Sequence, residues 1–308
     1  MVPVNFATSL AGPPSYNKRF AGGPLKSSVV LLVQCPDRKG LDAAIADFIY
    51  RYDGNILHFE QHQAGEERYY LARVEWDLNG FDLNLNDFDA AFGPVAHKFG
   101  MNWSMALGSY RPRVAIFVSK YDHCLVDLLY RQRNHELACD FPLMISNHPD
   151  AKHHADFYGV PYHVIPVTKD NKPEAEAQQR ALLDSHKIDL VVLARYMQVL
   201  SNEFIASYPR PIINIHHSFL PAFVGAKPHQ QAFHRGVKLI GATAHYVTEV
   251  LDDGPIIEQD VVRISHKDDI DDLVEKGRDL EKVVLSRAVR WHIENRILLY
   301  GNKTVIFT

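Results

Sequence analysis

The sequence predicts an α/β protein of two units: a ferredoxin-like βαββαβ unit over residues 28–110, then a doubly wound, mostly parallel sheet over residues 111–308. Residues 1–27 stand apart as an N-terminal arm. Three observations carry the prediction. A chain of 308 residues with 46% hydrophobic content has material for two cores. Up to about Leu107 the pattern reads strand, helix, strand, strand, helix, strand. After Pro112, short apolar runs alternate with helical stretches, as parallel strands joined by crossover helices do.

The arm, MVPVNFATSLAGPPSYNKRFAGGPLKSS, has no acidic residue and is interrupted by Pro and Gly. It reads as a loosely packed segment, with an organelle transit peptide as the alternative. SSVVLLVQC is a continuous apolar run, hence a buried strand, and PDRKG turns it into a helix. On that helix Leu41, Ala44, Ile45, Phe48 and Ile49 share one face, and Gly54 stands beyond its end. NILHFEQHQ and RYYLARVEW, joined by AGEE, make a hairpin; a helix over about Leu85–Phe99 and the strand MNWSMALG complete the unit. SYRPR around Pro112 is the linker.

In the second unit RVAIFVS, DFPLMIS, YHVIPV, IDLVVLA and PIINIH read as strands separated by helices. LIGATAHYV, the loop TEVLDDGP and the strand IIEQDVVRI follow. In the terminal helix Ile270, Leu273, Val274, Gly277, Leu280, Val284, Ala288 and Trp291 recur at three- and four-residue steps and form an apolar stripe. The acidic run Asp268, Asp269, Asp271 and Asp272 at its start complements the helix dipole and does not call for a metal.

Composition narrows the function. With 33 Lys+Arg against 37 Asp+Glu, the net charge of −4 offers a polyanion no bulk attraction, so a small-molecule ligand is expected and nucleic acid is not. No window approaches the ~18 consecutive apolar residues of a membrane span. Cys35, Cys124 and Cys139 lack metal-like spacing and read as reduced thiols of an intracellular protein. His153 and His154 have no further ligand at metal spacing, so no metal is expected there.

One stretch stands out. PIINIHHSFLPAF runs a buried strand into Asn214, His216 and His217. In open α/β sheets ligands bind beyond the carboxyl ends of the strands, and residues two apart on an extended chain project to the same side. Asn214 and His216 thus share a face at such an end, while His217 is expected to face away. The amide is a donor that cannot ionise; the imidazole donates or accepts near neutral pH.

NIHHSFLPAF, GATAHYV and LDDGPII together resemble the catalytic core of the folate-dependent formyltransferase family. VQCPDRKGLDAAIADFIYRYDGNI resembles the opening of an ACT regulatory domain, and that pairing of units is similar to the hydrolase branch of the family. The resemblance covers nearly the whole chain from about Ser28. It implies hydrolysis of 10-formyltetrahydrofolate to tetrahydrofolate and formate for one-carbon and purine metabolism, the folate being the substrate and no cofactor being needed. The alternatives are formyl transfer to an unidentified amine acceptor and a ligand-binding regulator with a vestigial catalytic unit.

The roles the resemblance implies match the chemistry of the residues. Asn214 stabilises the oxyanion of a tetrahedral intermediate, His216 is the general acid and base, and Asp252 orients His216 and water, with Asp253 on a variable neighbour. Met197, Gln198 and Leu200 fall on the family's pterin-lining segment; His245, Val247 and Thr248 would complete the site. His229 stands where many relatives carry tyrosine. The loop SKYDHCL lacks the glycines that hold a phosphate in the family's nucleotide transferases, and Asp122 adds negative charge. For the ACT unit the resemblance implies an amino-acid effector and a homo-oligomer, or else a purely architectural role. The location expected is cytoplasmic, or organellar if the arm is a transit peptide.

Overall fold

The computed structural model describes residues 27–65, 68–222 and 228–308. The arm expected over residues 1–27 lies, Ser27 apart, outside them. Two compact units are present. One is Arg111–Ile293; the other combines the described residues up to Tyr110 with Glu294–Thr308.

The N-terminal unit runs β1 (Ser28–Pro36), α1 (Leu41–Arg51), β2 (Asn55–Ala64), β3 (Tyr69–Asp77), α2 (Phe88–Phe99) and β4 (Asn102–Leu107). Its sheet is antiparallel in the order β2-β3-β1-β4, the ferredoxin-like arrangement. Alternate residues of central β1 face opposite sides. Val29, Leu31 and Val33 pack with Ile45 and Phe48 of α1 and Phe92 of α2, whereas Val30 and Leu32 face the other way.

That second face explains why β1 is apolar throughout, because it too is covered. A terminal hairpin, Ile297–Tyr300 paired with Lys303–Ile306, brings Leu298 to it, and Phe307 follows; both join Val30, Leu32 and Leu71 in a second small core. Buried Arg73 ties the segment down: its Nε donates to the Asn295 carbonyl at 3.1 Å and its Nη2 to Glu75 at 2.8 Å. Residues 294–308, expected to continue the second unit, therefore group with the first.

The second unit runs β5 (Arg113–Val118), α3 (His123–Arg133), β6 (Asp140–Ser146), α4 (Lys152–Tyr158), β7 (Tyr162–Val164), α5 (Lys172–Ser185) and β8 (Leu190–Leu193). It continues with α6 (Asn202–Ser207), β9 (Ile212–His216), α7 (Pro228–Arg235), β10 (Leu239–Tyr246), β11 (Ile256–Arg263) and α8 (Ile270–Ile293). The sheet order is β11-β10-β9-β8-β5-β6-β7, parallel from β9 to β7 with β10 and β11 antiparallel. From β5 the chain steps outward through β6 and β7, then restarts at β8 on the other side of β5. That reversal is a switch point, where the connections leaving β5 and β8 diverge and open a crevice.

The start of α8 is a reciprocal cap. The Asp272 N–H donates to Asp269 Oδ1 at 3.0 Å, and the Asp269 N–H to Asp272 Oδ2 at 2.9 Å, so these carboxylates serve the helix end. The buried stripe of α8 departs from the expected one at several positions, of which one is telling. Leu280 and Trp291 are half-buried, and the carboxylate Glu281 is buried between Gly277 and Val284.

Candidate active site

β9 and β10 pair antiparallel with Thr243 opposite His216 and His245 opposite Asn214. Register alone thus puts the Asn214 amide against the His245 ring, Nδ2 to Nε2 at 3.2 Å. The His245 Nδ1 lies 2.9 Å from the Tyr246 carbonyl, which can only accept, so Nδ1 carries a proton and Nε2 takes a hydrogen from Asn214. One N–H of Asn214 is thereby committed, which fixes the amide's orientation and leaves its second N–H free to donate.

The loop after β10 returns Asp252 to the same place. It is pinched shut at its base, where the Tyr246 N–H donates to the Pro255 carbonyl at 2.9 Å. Gly254 is required there, since a Cβ would sit 1.8 Å from the Tyr246 carbonyl oxygen. Asp252 itself has φ 56°, a left-handed conformation that aspartate tolerates better than most residues. Its Oδ2 lies 3.2 Å from His216 Nδ1 and its Oδ1 3.6 Å from His245 Nε2. The hydrogen bond from His216 holds its carboxyl well below the usual carboxylate range. With Nδ1 directed to Asp252, the buried Nε2 of His216 has no hydrogen-bond partner among the described residues.

Asn214, His216 and Asp252 line a cavity of about 680 Å3. Met197, Gln198, Leu200, His245, Val247 and Thr248 line it as well. Met197 is 51% exposed, and its N–H donates to Ser119 Oγ at 2.9 Å; that hydroxyl in turn donates to Asn147 at 2.6 Å. These bonds fasten the segment after β8 to the ends of β5 and β6. Leu200, 6% exposed, belongs chiefly to the hydrophobic core beneath. The Val247 N–H donates to the Ile212 carbonyl at 2.8 Å and extends the pairing with β9.

His217 departs from expectation. Strand alternation stops at His216, so His217 does not face away: it lines the same cavity, its ring stacked 5.2 Å from that of His216. Burial, then the charge of Arg195 and the neighbouring His216, push its imidazole down to about 3, so it is neutral at pH 7.

The cavity also holds groups that the sequence reading did not single out. Glu281, 2% exposed, accepts a hydrogen bond from His123 at 2.7 Å and lies 3.3 Å from Arg195 Nε. Arg195 has φ 62° and, with Arg278, flanks the Tyr121 ring at 5.4 and 5.7 Å. A carboxylate inside the apolar stripe of α8 was the one available signal.

Two clusters have metal-ligand chemistry. Sequence spacing offers His153 and His154 no third ligand, but folding supplies Asp122, whose Oδ2 lies 2.8 Å from His154 Nε2. His123, Cys124 and Glu281 also converge. Burial pushes the Cys124 thiol far up, keeping it protonated, and Arg195 already neutralises Glu281, so this second donor set suits a cation poorly.

Residues 112–289 match the formyl transferase family model. A protein named formyltetrahydrofolate deformylase from Synechocystis is 53% identical over 280 residues, covering 91% of this chain and 98% of that one. The chain belongs to the formyltetrahydrofolate deformylase family. A crystal structure of a formyltetrahydrofolate deformylase from Pseudomonas syringae superposes with a TM-score of 0.89 at 45% identity, covering 91% of this chain and 94% of that one. Among plants, formyltetrahydrofolate deformylase 1, mitochondrial, of Arabidopsis thaliana is 40% identical over 308 residues and 94% of each chain. No helix among the described residues of this family member is long and apolar enough to cross a membrane.

Proposed function

We propose that the enzyme hydrolyses 10-formyltetrahydrofolate to tetrahydrofolate and formate, with His216 as the acid and base of both steps. The observation that carries this reading is the placement of His216: Nδ1 directed to Asp252 at 3.2 Å, and Nε2 buried with no hydrogen-bond partner among the described residues. Such a ring presents a lone pair to whatever occupies the cavity.

Water attacks the formyl carbon while Nε2 takes its proton. The carbonyl oxygen becomes an oxyanion and accepts the free N–H of Asn214; the imidazolium is stabilised by the Asp252 carboxylate. As the carbon–nitrogen bond breaks, Nε2 returns the proton to N10 of the folate, and formate leaves with the oxygen from water. Met197, Gln198 and Val247 supply an apolar wall with backbone polar groups, suited to a flat heterocycle.

The test is formate release from purified enzyme and 10-formyltetrahydrofolate with no amine present. Formate is expected at one equivalent per folate turned over, with kcat reduced about 10²–10⁴-fold in His216→Ala. Formyl loss that occurs only when an amine is supplied would make the enzyme a transferase. For the N-terminal unit the proposal is an ACT-type module that takes an amino-acid effector and pairs with a second copy; its strand order and the left-handed Gly40 (φ 93°) ahead of α1 support it. A cytoplasmic location and supply of formate to purine synthesis belong to the same reading.

A further inference from the structure

Around Glu281 the cavity gathers two guanidiniums and three imidazoles. His123 donates to it, Arg195 lies 3.3 Å away, and Arg278 lines the cavity across the Tyr121 ring from Arg195. His217 and His229 line it too, with rings 6.1 Å apart. The His229 ring lies against Gly277, one turn before Glu281; a Cβ there would stand 2.5 Å from its Cε1. No helix backbone other than glycine's admits that ring.

Five basic or imidazole side chains around one carboxylate is the composition of an anion site. We propose that this is an anion site occupied in cis by Glu281, and that Glu281 is a specificity-determining residue: it fills the place that the carboxylate or phosphate of an anionic co-substrate would take, so that water is the nucleophile admitted beside His216. The proposal rests on the hydrolase reading above and supplies the reason for it. Glu281 remains charged inside the protein. Burial pushes its carboxyl up, but the His123 hydrogen bond and the Arg195 charge outweigh that and hold it below its ordinary value. Without the carboxylate, Arg195 would face the cavity with Arg278 and without its ion-pair partner; its Nε has no hydrogen-bond acceptor among the described residues. His216, His217 and His229 form a file of rings from Asp252 toward this cluster, so an anion bound here would sit in the cavity that holds the reacting formyl group.

The probe is inorganic phosphate, tested on Glu281→Gln, which keeps the size and the acceptor for His123 and removes the charge. Its apparent affinity is read from thermal shift at constant ionic strength and from inhibition of formate release. Phosphate is expected to bind Glu281→Gln at least fivefold more tightly than wild type and to inhibit it, and the gain is expected to vanish in Glu281→Gln/Arg195→Met. A gain below fivefold, or one that survives loss of Arg195, overturns the proposal. Glu281→Ala, if it folds, is expected to behave as Glu281→Gln does. The thermal shift needs no turnover, so a wild-type enzyme that releases no formate, alongside a Glu281→Gln variant that gains phosphate binding, would sink the hydrolase reading and leave the anion site standing.

Discussion

Two carboxylates, Asp252 and the buried Glu281, line the same cavity, and they are held by different kinds of partner. Asp252 is paired, among the described residues, with two imidazoles, those of His216 and His245, and an imidazole is a group able to take up and give back a proton. Glu281 is held by an imidazole and a guanidinium, and the guanidinium never gives up its proton. The first carboxylate can therefore steady a charge that comes and goes on His216. The second is locked in a permanent pair and can only define what else the cavity accepts. What a buried carboxylate does is set less by its own burial than by whether its partner can let go of a proton.

That contrast is broken most severely by Asp252→Asn, which keeps the shape and removes the charge that the His216 imidazolium needs. A fall in kcat of about 10²–10⁴ is expected, with KM little changed. The same variant carries a pH signature. A carboxyl depressed in the folded state contributes stability above its unfolded value, roughly 3.9, and loses it as pH falls through the folded value. The margin of wild type over Asp252→Asn in thermal unfolding should be constant from neutral pH to about pH 5 and shrink below about pH 4. A margin that grows on acidification would contradict the pairing. Next in size, Asn214→Ala removes the proposed oxyanion donor and should cost about 10²–10³ in kcat; a change confined to KM would assign Asn214 to binding alone. The smallest effect belongs to the wall. Met197→Ala should raise KM roughly fivefold, about 1 kcal/mol, and leave kcat in place, which steady-state kinetics would separate from a catalytic defect.

These expectations draw unequally on the sequence. The pair Asn214 and His216 was legible because two local rules converge on it, the period of a strand and the ligand position at strand ends. His245 could be suspected from its place in the strand before Asp252, and cross-strand register then delivered it. His217 was misplaced because alternation was carried one residue past the end of β9. The Glu281 cluster was scarcely legible: His123, Arg195 and Glu281 come from α3, the segment after β8 and α8, and no local pattern records a meeting between distant segments. Its trace was one carboxylate in a stripe otherwise apolar. The run of strands and helices in each unit followed from element patterns, whereas the terminal hairpin did not, because the need for it arises on a sheet face that only the folded unit creates.

That hairpin gives the chain an unusual itinerary. The polypeptide leaves the N-terminal unit after Tyr110, builds the whole catalytic unit, and comes home to the same sheet at Glu294. The catalytic unit is thus nested within the other as an insertion, anchored by two peptide crossings instead of one. A fragment cut at Tyr110 would leave Val30, Leu32 and Leu71 without Leu298 and Phe307. Anyone dissecting the molecule would have to splice residues 294–308 back on, and a stop codon near the end of the gene would injure the unit encoded at its beginning.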